Sequence, residues 1–205
     1  MSTQGTIFVV DDEPAVRDSL QVLLGTYGFA VETFTKAEDF LAQSDPSRPG
    51  CLLADVRMPG MTGLELQREL TRRGNPIPVI VITGHGDVPM AVDALKAGAL
   101  DFLEKPLNDE ALVRSIRSAL ERDQRSREEG QEKARLTQRV ARLTGREREV
   151  MALIVDGLPN NAVAERLGIS ARTVEHYRAN IMQKMEAASF AELVRMAIAL
   201  HGQDA

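Results

Sequence analysis

The sequence is poor in aromatic residues and nearly lacks cysteine. Aromatic residues make up 4% of its 205 residues, and tryptophan is absent. The hydrophobic cores must therefore consist mainly of Leu, Val, Ile, Met and Ala side chains. A single cysteine, Cys51, excludes an internal disulfide and a cysteine-based metal cluster. Because Cys51 begins an apolar strand pattern, we interpret it as a core residue and not as a redox group.

A long hydrophobic run is also missing. The longest strongly apolar run, Ile77 to Ile82, is far shorter than the roughly 20 residues that span a bilayer. Residues 1–10 contain neither the basic segment nor the long apolar segment of a signal peptide. We therefore expect a cytoplasmic protein with no membrane partner.

The chain has no excess of positive charge. Its net charge is −5 at pH 7, and the negative charge lies in residues 1–120, whereas the remaining residues are nearly neutral. Charge alone therefore gives no argument for nucleic acid binding. The asymmetry nevertheless indicates two modules with different partners, and the hydrophobic fraction of 43% is ordinary for soluble domains.

Residues 1–122 alternate short apolar runs with helical patterns. The runs are apolar throughout, which is typical of parallel strands covered on both faces. Five strand–helix units of this kind predict an α/β domain with a doubly wound five-stranded parallel sheet. The predicted strands are Ile7–Val10, Val31–Phe34, Cys51–Asp55, Val79–Thr83 and Leu100–Glu104.

Residues 123–138 are dense in Arg, Glu, Gln and Lys. This composition predicts a solvated helical linker that can break at Gly130. A short coiled coil is the alternative, but the apolar residues of this region keep no heptad spacing.

Residues 139–205 contain no strand pattern. Capping boxes that begin at Thr144 and Ser189, together with Gly157 and Gly168 at helix ends, predict four short helices. The last part of the chain is therefore predicted to be a small all-α domain.

Polar side chains follow the strands of the predicted sheet. Asp11 and Asp12 follow the first strand, Asp55 and Thr83 end the third and fourth strands, and Lys105 follows the fifth. Ligands of open parallel sheets bind beyond these carboxyl ends. Neighbouring carboxylates repel one another unless a cation joins them, and oxygen ligands of this kind suit Mg²⁺. A carboxylate beside Mg²⁺ can accept a phosphoryl group, whose oxygens the Thr hydroxyl and the Lys ammonium can bind.

The motifs of residues 1–122 resemble those of a two-component receiver domain, in the same order. The segments that carry the resemblance are residues 9–13 (VVDDE), 54–63 (ADVRMPGMTG), 82–86 (ITGHG) and 101–106 (DFLEKP). The resemblance implies a flavodoxin-like fold in which Asp55 takes a phosphoryl group from a sensor histidine kinase. It also implies that Asp12 and Asp55 hold Mg²⁺ directly with the Arg57 carbonyl, and that Asp11 holds it through water.

The same resemblance implies a switch. Thr83 and Lys105 would bind the phosphoryl oxygens, Phe102 stands where the family keeps a switch aromatic, and Lys105–Pro106 is commonly a cis peptide. The predicted helix Val88–Ala97 is nearly apolar all round, so part of it should remain exposed. We expect this helix and the fifth strand to form a homodimer interface after phosphorylation.

The third helix of the predicted all-α domain has two different faces. Val174, Tyr177, Ile181 and Met185 share one face by their spacing and should pack inward. Its position after a short helix and a glycine-containing turn fits a helix-turn-helix motif. An ordinary helical packing module is the alternative, which the pattern alone does not exclude. The outer face carries Arg172, Glu175, His176, Ala179 and Gln183.

Residues 139–205 are similar to a LuxR-type DNA-binding domain. With a receiver before it, the chain resembles the NarL/FixJ group of response regulators, and residues 85–89 and 177–180 favour the FixJ branch, regulators of nitrogen fixation. The implied partners are double-stranded DNA and RNA polymerase, and the implied function is transcription regulation, with activation favoured. The segments that carry the resemblance are residues 143–150, 157–158, 164–170, 173–175 and 180–185.

DNA contacts are expected on the outer face of the third helix. Glu175, His176 and Ala179 should lie nearest the base edges, and long cationic side chains should reach phosphates. Two departures from the family matter: Pro159 replaces a usual Ser cap, and Glu175 stands where many members carry Lys. The predicted DNA-contacting residues are Arg172, Thr173, Glu175, His176, Arg178, Ala179 and Lys184.

Two other function classes compete with this interpretation. A Mg²⁺-dependent phosphohydrolase with an aspartyl phosphate would want an acid two residues beyond its nucleophile, but Arg57 stands there. A regulator controlled by a small ligand would need an apolar pocket, whereas the strand ends are lined with acids. We therefore expect no enzyme, apart from the help that a receiver gives to its own phosphoryl transfer and hydrolysis.

Overall fold

The structure is a computed structural model that describes residues 5–84 and 88–201. The chain divides into two units between Arg127 and Glu128, inside the linker predicted for residues 123–138. We call them the receiver unit and the helical unit.

The receiver unit is built on a five-stranded sheet in which every strand pair is parallel. The strand order is β2-β1-β3-β4-β5, which confirms the predicted doubly wound sheet. The order reverses between β1 and β3, so the carboxyl ends of these two strands flank the crevice where such sheets bind ligands. The strands are β1 Thr6–Val10, β2 Ala30–Phe34, β3 Gly50–Asp55, β4 Val79–Thr83 and β5 Asp101–Glu104.

Helices alternate with these strands, as the sequence predicted. The last of them, α5, continues through Gly130 as one helix and ends in the helical unit. The helices are α1 Pro14–Thr26, α2 Ala37–Gln43, α3 Gly63–Arg72, α4 Val88–Lys96 and α5 Asp109–Ala141.

The sheet has a hydrophobic core on each face because successive side chains of a strand point to opposite sides. Phe8 and Val10 pack in the core that contains residues of α2, α3 and α4. Ile7 and Val9 pack in the core that contains residues of α1 and α5. Strand β3 is buried along its whole length, which fits its apolar sequence as far as the final residue, Asp55.

Cys51 lies in β3 and has no exposed surface, so its prediction as a core residue is confirmed. Burial, with the nearby Asp123 charge, raises the pKa of the Cys51 thiol above its ordinary value. The thiol is therefore protonated at neutral pH, and it is a poor nucleophile.

The helical unit contains α6 Gly145–Val155, α7 Asn160–Leu167, α8 Ala171–Met185 and α9 Phe190–His201. The predicted capping box of α6 is confirmed: the Thr144 hydroxyl accepts from the Glu147 N–H, and the Glu147 carboxylate accepts from the Thr144 N–H. Val174, Ile181 and Met185 are buried, which confirms the predicted inner face of α8. No helix in the described part of the chain is both long and apolar enough to cross a membrane.

Candidate functional site

The predicted polar cluster forms where the strands of the receiver unit end. Asp11 follows β1 and Asp55 is the last residue of β3; both are buried, with 1% and 6% of their surface exposed. Lys105 follows β5, and its Nζ lies 2.9 Å from Asp11 Oδ2 and 2.7 Å from Asp55 Oδ1. The structure therefore brings three of the predicted site residues into direct contact.

The backbone holds the other oxygen of each carboxylate. The Arg57 N–H donates to Asp55 Oδ2 at 2.6 Å, and the Glu13 N–H donates to Asp11 Oδ1 at 2.9 Å. A Cβ atom on Gly63, the first residue of α3, would collide with the Asp55 carbonyl oxygen, so glycine lets the helix approach the end of β3. These contacts fix both carboxylates at the crevice.

Lys105 is protonated in this setting. Burial lowers the pKa of Lys105, but its hydrogen bonds to Asp55 and Asp11 and their negative charges raise it more, so the net pKa lies above the ordinary lysine value. The ammonium group thus neutralises part of the charge of the two carboxylates.

The carboxyl end of β4 is joined to this cluster through the backbone. The Lys105 N–H donates to the Thr83 carbonyl oxygen at 2.7 Å, and the Thr83 side chain is buried. The Lys105–Pro106 peptide is cis, as the resemblance implied. Phe102 lies beside Val81 in the sheet and packs, half-buried, against the core that contains α4 residues. Thr83 is thus joined to the acidic site through Lys105, and Phe102 contacts the core that also contains a residue of α4.

The carboxylate oxygens at this site are ligands of the kind that a hard cation prefers. The three aspartates do not yet surround a single point where a metal ion could sit. Among residues 5–84 and 88–201, no three His, Cys, Asp or Glu side chains are grouped to hold a metal ion. Asp11 and Asp55 converge on one ammonium group, while Asp12 is half-buried beside them. Carboxylate oxygens that already share one cation fit Mg²⁺, which prefers oxygen ligands.

One residue of this site was missed by the sequence analysis. The Arg17 guanidinium, on α1, donates to the Asp11 carbonyl oxygen at 2.7 Å. It therefore braces the turn that carries Asp11 and Asp12. The only signal in the sequence was a basic residue in the helix directly after the acidic pair, which is too common to be informative.

The outer face of α8 carries the predicted DNA-reading residues. Glu175, His176 and Ala179 are exposed there, as is Arg172 near the start of the helix. His176 Nε2 lies 3.2 Å from Asn180 Nδ2, one turn further along. Because these side chains are exposed, they are free to contact base edges when α8 lies in a DNA groove.

The other predicted contact residues make contacts inside the helical unit. Arg178 lies 4.8 Å from the centre of the Phe190 ring and donates to Asn160 Oδ1 at 3.1 Å. Lys184 lies 2.7 Å from Glu147 Oε2. The Thr173 and Ser170 hydroxyl oxygens lie 2.8 Å apart, in the cap of α8. Each of these three side chains therefore helps to hold the motif together.

Comparison with protein families assigns a known family to the receiver unit and another to the helical unit. The model for the response regulator receiver domain matches residues 7–117, and the model for bacterial regulatory proteins of the luxR family matches residues 141–197. The chain belongs to the DNA-binding response regulators.

Individual relatives span nearly the whole response regulator. The transcriptional regulatory protein FixJ of Azorhizobium caulinodans is 50% identical over 94% of this chain and 91% of its own. Nodulation protein W of Bradyrhizobium diazoefficiens is 44% identical over 95% of this chain and 86% of its own.

Solved structures give the same assignment. The response regulator StyR is 45% identical, with a TM-score of 0.86 over 95% of this chain and 98% of its own. Full-length FixJ from B. japonicum is also 45% identical, with a TM-score of 0.59 over 96% of this chain and 97% of its own.

These matches establish the general function of the response regulator. It is a transcription regulator of a two-component system, with a receiver domain that implies a kinase partner and a LuxR-type domain that implies DNA binding. Receiver domains generally bind Mg²⁺ at the acidic pocket, which here contains Asp11 and Asp55.

Proposed function

We propose that Asp55 accepts a phosphoryl group from a sensor histidine kinase, and that this step switches DNA binding by the helical unit. The observation that carries the proposal is the Lys105 ammonium, which lies between the buried carboxylates of Asp11 and Asp55. A carboxylate held beside a fixed positive charge can approach an anionic phosphoryl donor.

The transfer is a simple exchange of bonds. An Asp55 carboxylate oxygen forms the new O–P bond while the N–P bond of the phosphohistidine breaks, and the histidine nitrogen keeps the bonding electron pair. Arg57 holds the other Asp55 oxygen through its backbone N–H. Lys105 and the Thr83 hydroxyl would bind phosphoryl oxygens, with Lys105 exchanging its contact with Asp55 for one with the new group.

A divalent cation would balance the remaining negative charge of the carboxylates and of the phosphoryl group. When bound, Mg²⁺ supplies positive charge to the phosphoryl oxygens, and Asp11, Asp12, Asp55 and the Arg57 carbonyl would hold it. The chain's own residues keep the geometry: Arg17 braces the Asp11 carbonyl, and Glu13 donates its N–H to the Asp11 carboxylate. The same site would assist later hydrolysis of the aspartyl phosphate.

The phosphoryl group would change the surface of the receiver unit. Movement of Thr83 toward it would open space into which Phe102 can turn, and this two-state change would reach α4 and β5. Val92 and Leu95 of α4 are large apolar residues with 39% and 50% of their surface exposed. This exposed face, together with β5, is the proposed interface of a phosphorylated homodimer.

The dimer would bind paired DNA half-sites through α8. Glu175, His176 and Ala179 would face base edges, and Arg172 would reach a phosphate. Arg178 and Lys184 would reach phosphates only by leaving Phe190 and Glu147. Bound at a promoter, the dimer would contact RNA polymerase and favour activation, and it would act in the cytoplasm.

Intact mass after incubation with Mg²⁺ and a small phosphodonor tests the proposal. The wild-type chain should gain about 80 Da, and Asp55→Asn should gain nothing, because an amide is a poor nucleophile. Asp18→Asn, an exposed neighbour on α1, should behave like wild type. An adduct of equal yield in Asp55→Asn contradicts the assignment.

Intact mass, read together with the amount of phosphodonor consumed, separates the other function classes. A phosphohydrolase would consume the phosphodonor without keeping an adduct, and a regulator controlled by a small ligand would show neither adduct nor consumption. Arg57, at the position where a phosphohydrolase would want its acid, favours the phosphoacceptor.

A further inference from the structure

The start of the linker is fastened to the receiver unit by a buried ion pair. Asp123 of α5 has 2% of its surface exposed, and its Oδ2 lies 2.7 Å from Arg127 Nε. The same oxygen accepts from the Gly50 N–H, at the first residue of β3, at 2.9 Å. A charged side chain at this depth is retained only where its partners are fixed.

Arg127 extends this contact to the loop before β3. Its guanidinium donates to the Pro46 carbonyl oxygen at 2.8 Å and to the Arg48 carbonyl oxygen. Gly50 is required here, since a Cβ atom would collide with the Thr6 carbonyl oxygen of β1. We call Asp123, Arg127 and the backbone of residues 46–50 the linker clamp.

The far end of α5 is fastened as well, within the helical unit. Leu136 is buried in the core of that unit. Arg139 and Arg142 each lie 2.8 Å from a different oxygen of Glu186. Between the two attachments, residues 128–135 are all exposed and include Gly130, where an added Cβ atom would meet no other part of the chain within 4 Å. This stretch of α5 is about 12 Å long at the usual helical rise.

We infer that the linker clamp is a positioning device: it fixes the direction in which α5 leaves the receiver and confines any bending of the linker to residues 128–135. Without the clamp, the helix would detach from the sheet about one turn earlier. The consequence for DNA is specificity for operator geometry. A dimer whose linkers leave in fixed directions discriminates between half-site spacings, whereas a loosely attached pair of helical units does not. This consequence rests on the proposed dimer, but the clamp itself does not.

Distance measurements between spin labels test the clamp in the full chain. Labels on Val22→Cys of α1 and Ser126→Cys of α5, which lies before the segment that can bend, report the direction of the linker, and both positions are exposed. The native thiol, Cys51, is buried and should not react. The wild-type background should give one narrow distance distribution, and Asp123→Asn should give a broad one.

Two further variants make the result decisive. Arg127→Lys keeps the charge but cannot span both carbonyl oxygens, so it should broaden the distribution even where Asp123→Asn folds poorly. Arg125→Ala removes an equivalent ion pair, with Glu121, that is exposed on the same helix, and it should leave the distribution narrow. An unchanged distribution in Arg127→Lys, or equal broadening in Arg125→Ala, overturns the inference.

DNA binding tests the consequence separately. Phosphorylated wild type should bind paired half-sites far more weakly when their spacing changes by about 5 base pairs, half a helical turn. Asp123→Asn should bind both spacings with similar affinity while keeping its phosphoryl adduct. Failure of phosphorylated wild type to bind paired sites contradicts the proposed function, and the label distances still decide the clamp. Retention of the full spacing preference by Asp123→Asn overturns the positioning role.

Discussion

Glu147 has two structural tasks in the helical unit. Its carboxylate closes the capping box at the start of α6, and it accepts hydrogen bonds from the Lys184 ammonium of α8 at 2.7 and 2.8 Å. The Lys184 hydrogen bonds and the Thr144 N–H lower the pKa of Glu147 below its ordinary value. One side chain therefore ties α6, the first helix of the helical unit after α5, to α8.

This arrangement predicts a loss of stability in acid. Because the Glu147 pKa is lower in the folded than in the unfolded chain, its contribution is complete above about pH 4.5 and is lost as pH falls through the folded value. Glu147→Gln should lower the free energy of unfolding by about 1–3 kcal/mol at pH 7 and by less at pH 4. Denaturant unfolding of the helical unit at both pH values checks this.

Glu149→Gln is the matched control. Glu149 is exposed, and its ion pair with Arg146 lies on the same helix, so this variant should change stability little at either pH. Equal losses in the two variants would show that the burial of Glu147 has no special role.

His176 is the residue whose change should most alter sequence preference. It is exposed on the outer face of α8, where it would face base edges. His176→Ala should weaken binding to the cognate site by about 1–3 kcal/mol and weaken binding to unrelated DNA much less. Fluorescence anisotropy with both duplexes measures the difference. A variant with unchanged affinity and site preference would show that this face does not read the bases.

At the scale of single elements, α4 carries the clearest prediction. Leu95→Asp places a charge on the exposed apolar face of α4, so it should prevent dimerisation of the phosphorylated chain at tens of micromolar without reducing the phosphoryl adduct. Light scattering with and without phosphodonor measures this. Val22→Asp, at an apolar residue on α1 with 70% of its surface exposed, should leave the dimer intact. A monomeric wild type under both conditions would refute the interface.

The elements themselves could be predicted because their signals are local. Unbroken apolar runs marked the strands, and glycines and capping boxes marked most helix ends, so the strand ends differ by no more than one residue from the prediction. The sequence placed Asp11, Asp55 and Lys105 together because parallel strands end at one edge.

What the sequence could not predict depends on contacts between distant elements. Helical periodicity assigned Arg178 and Lys184 to outer positions of α8, but it could not show that Phe190 and Glu147 lie within their reach. Gly130 suggested a break, yet α5 continues through it, since one exposed glycine only weakens a helix. The link between Asp123 and Gly50 has no local signal at all.

At the scale of the whole molecule, the two units should depend on each other for tight binding. A fragment of the helical unit, from Arg139 onward, has few outward cationic groups, because several of its basic side chains pair with carboxylates within it. We therefore expect this fragment to bind one half-site weakly, and the phosphorylated full chain to protect paired half-sites strongly. Footprinting of both proteins on the same operator measures this. Equal protection by the fragment would show that dimerisation adds nothing.

The contact between Gly50 and Asp123 also affects the order in which the chain can fold while it is being synthesised. Synthesis proceeds from the N-terminus, and domains generally fold as units in that order. The receiver cannot make its last hydrogen bonds until Asp123 and Arg127 have been synthesised, long after β1 and β3 are complete. Helices α6 to α9 all lie within residues 145–201, so their contacts with one another are closer in sequence than the contact between Gly50 and Asp123, and short separations favour fast folding. During synthesis, the receiver unit, with its slowly formed long-range contacts, therefore emerges first, and the faster-folding helices α6 to α9 emerge last.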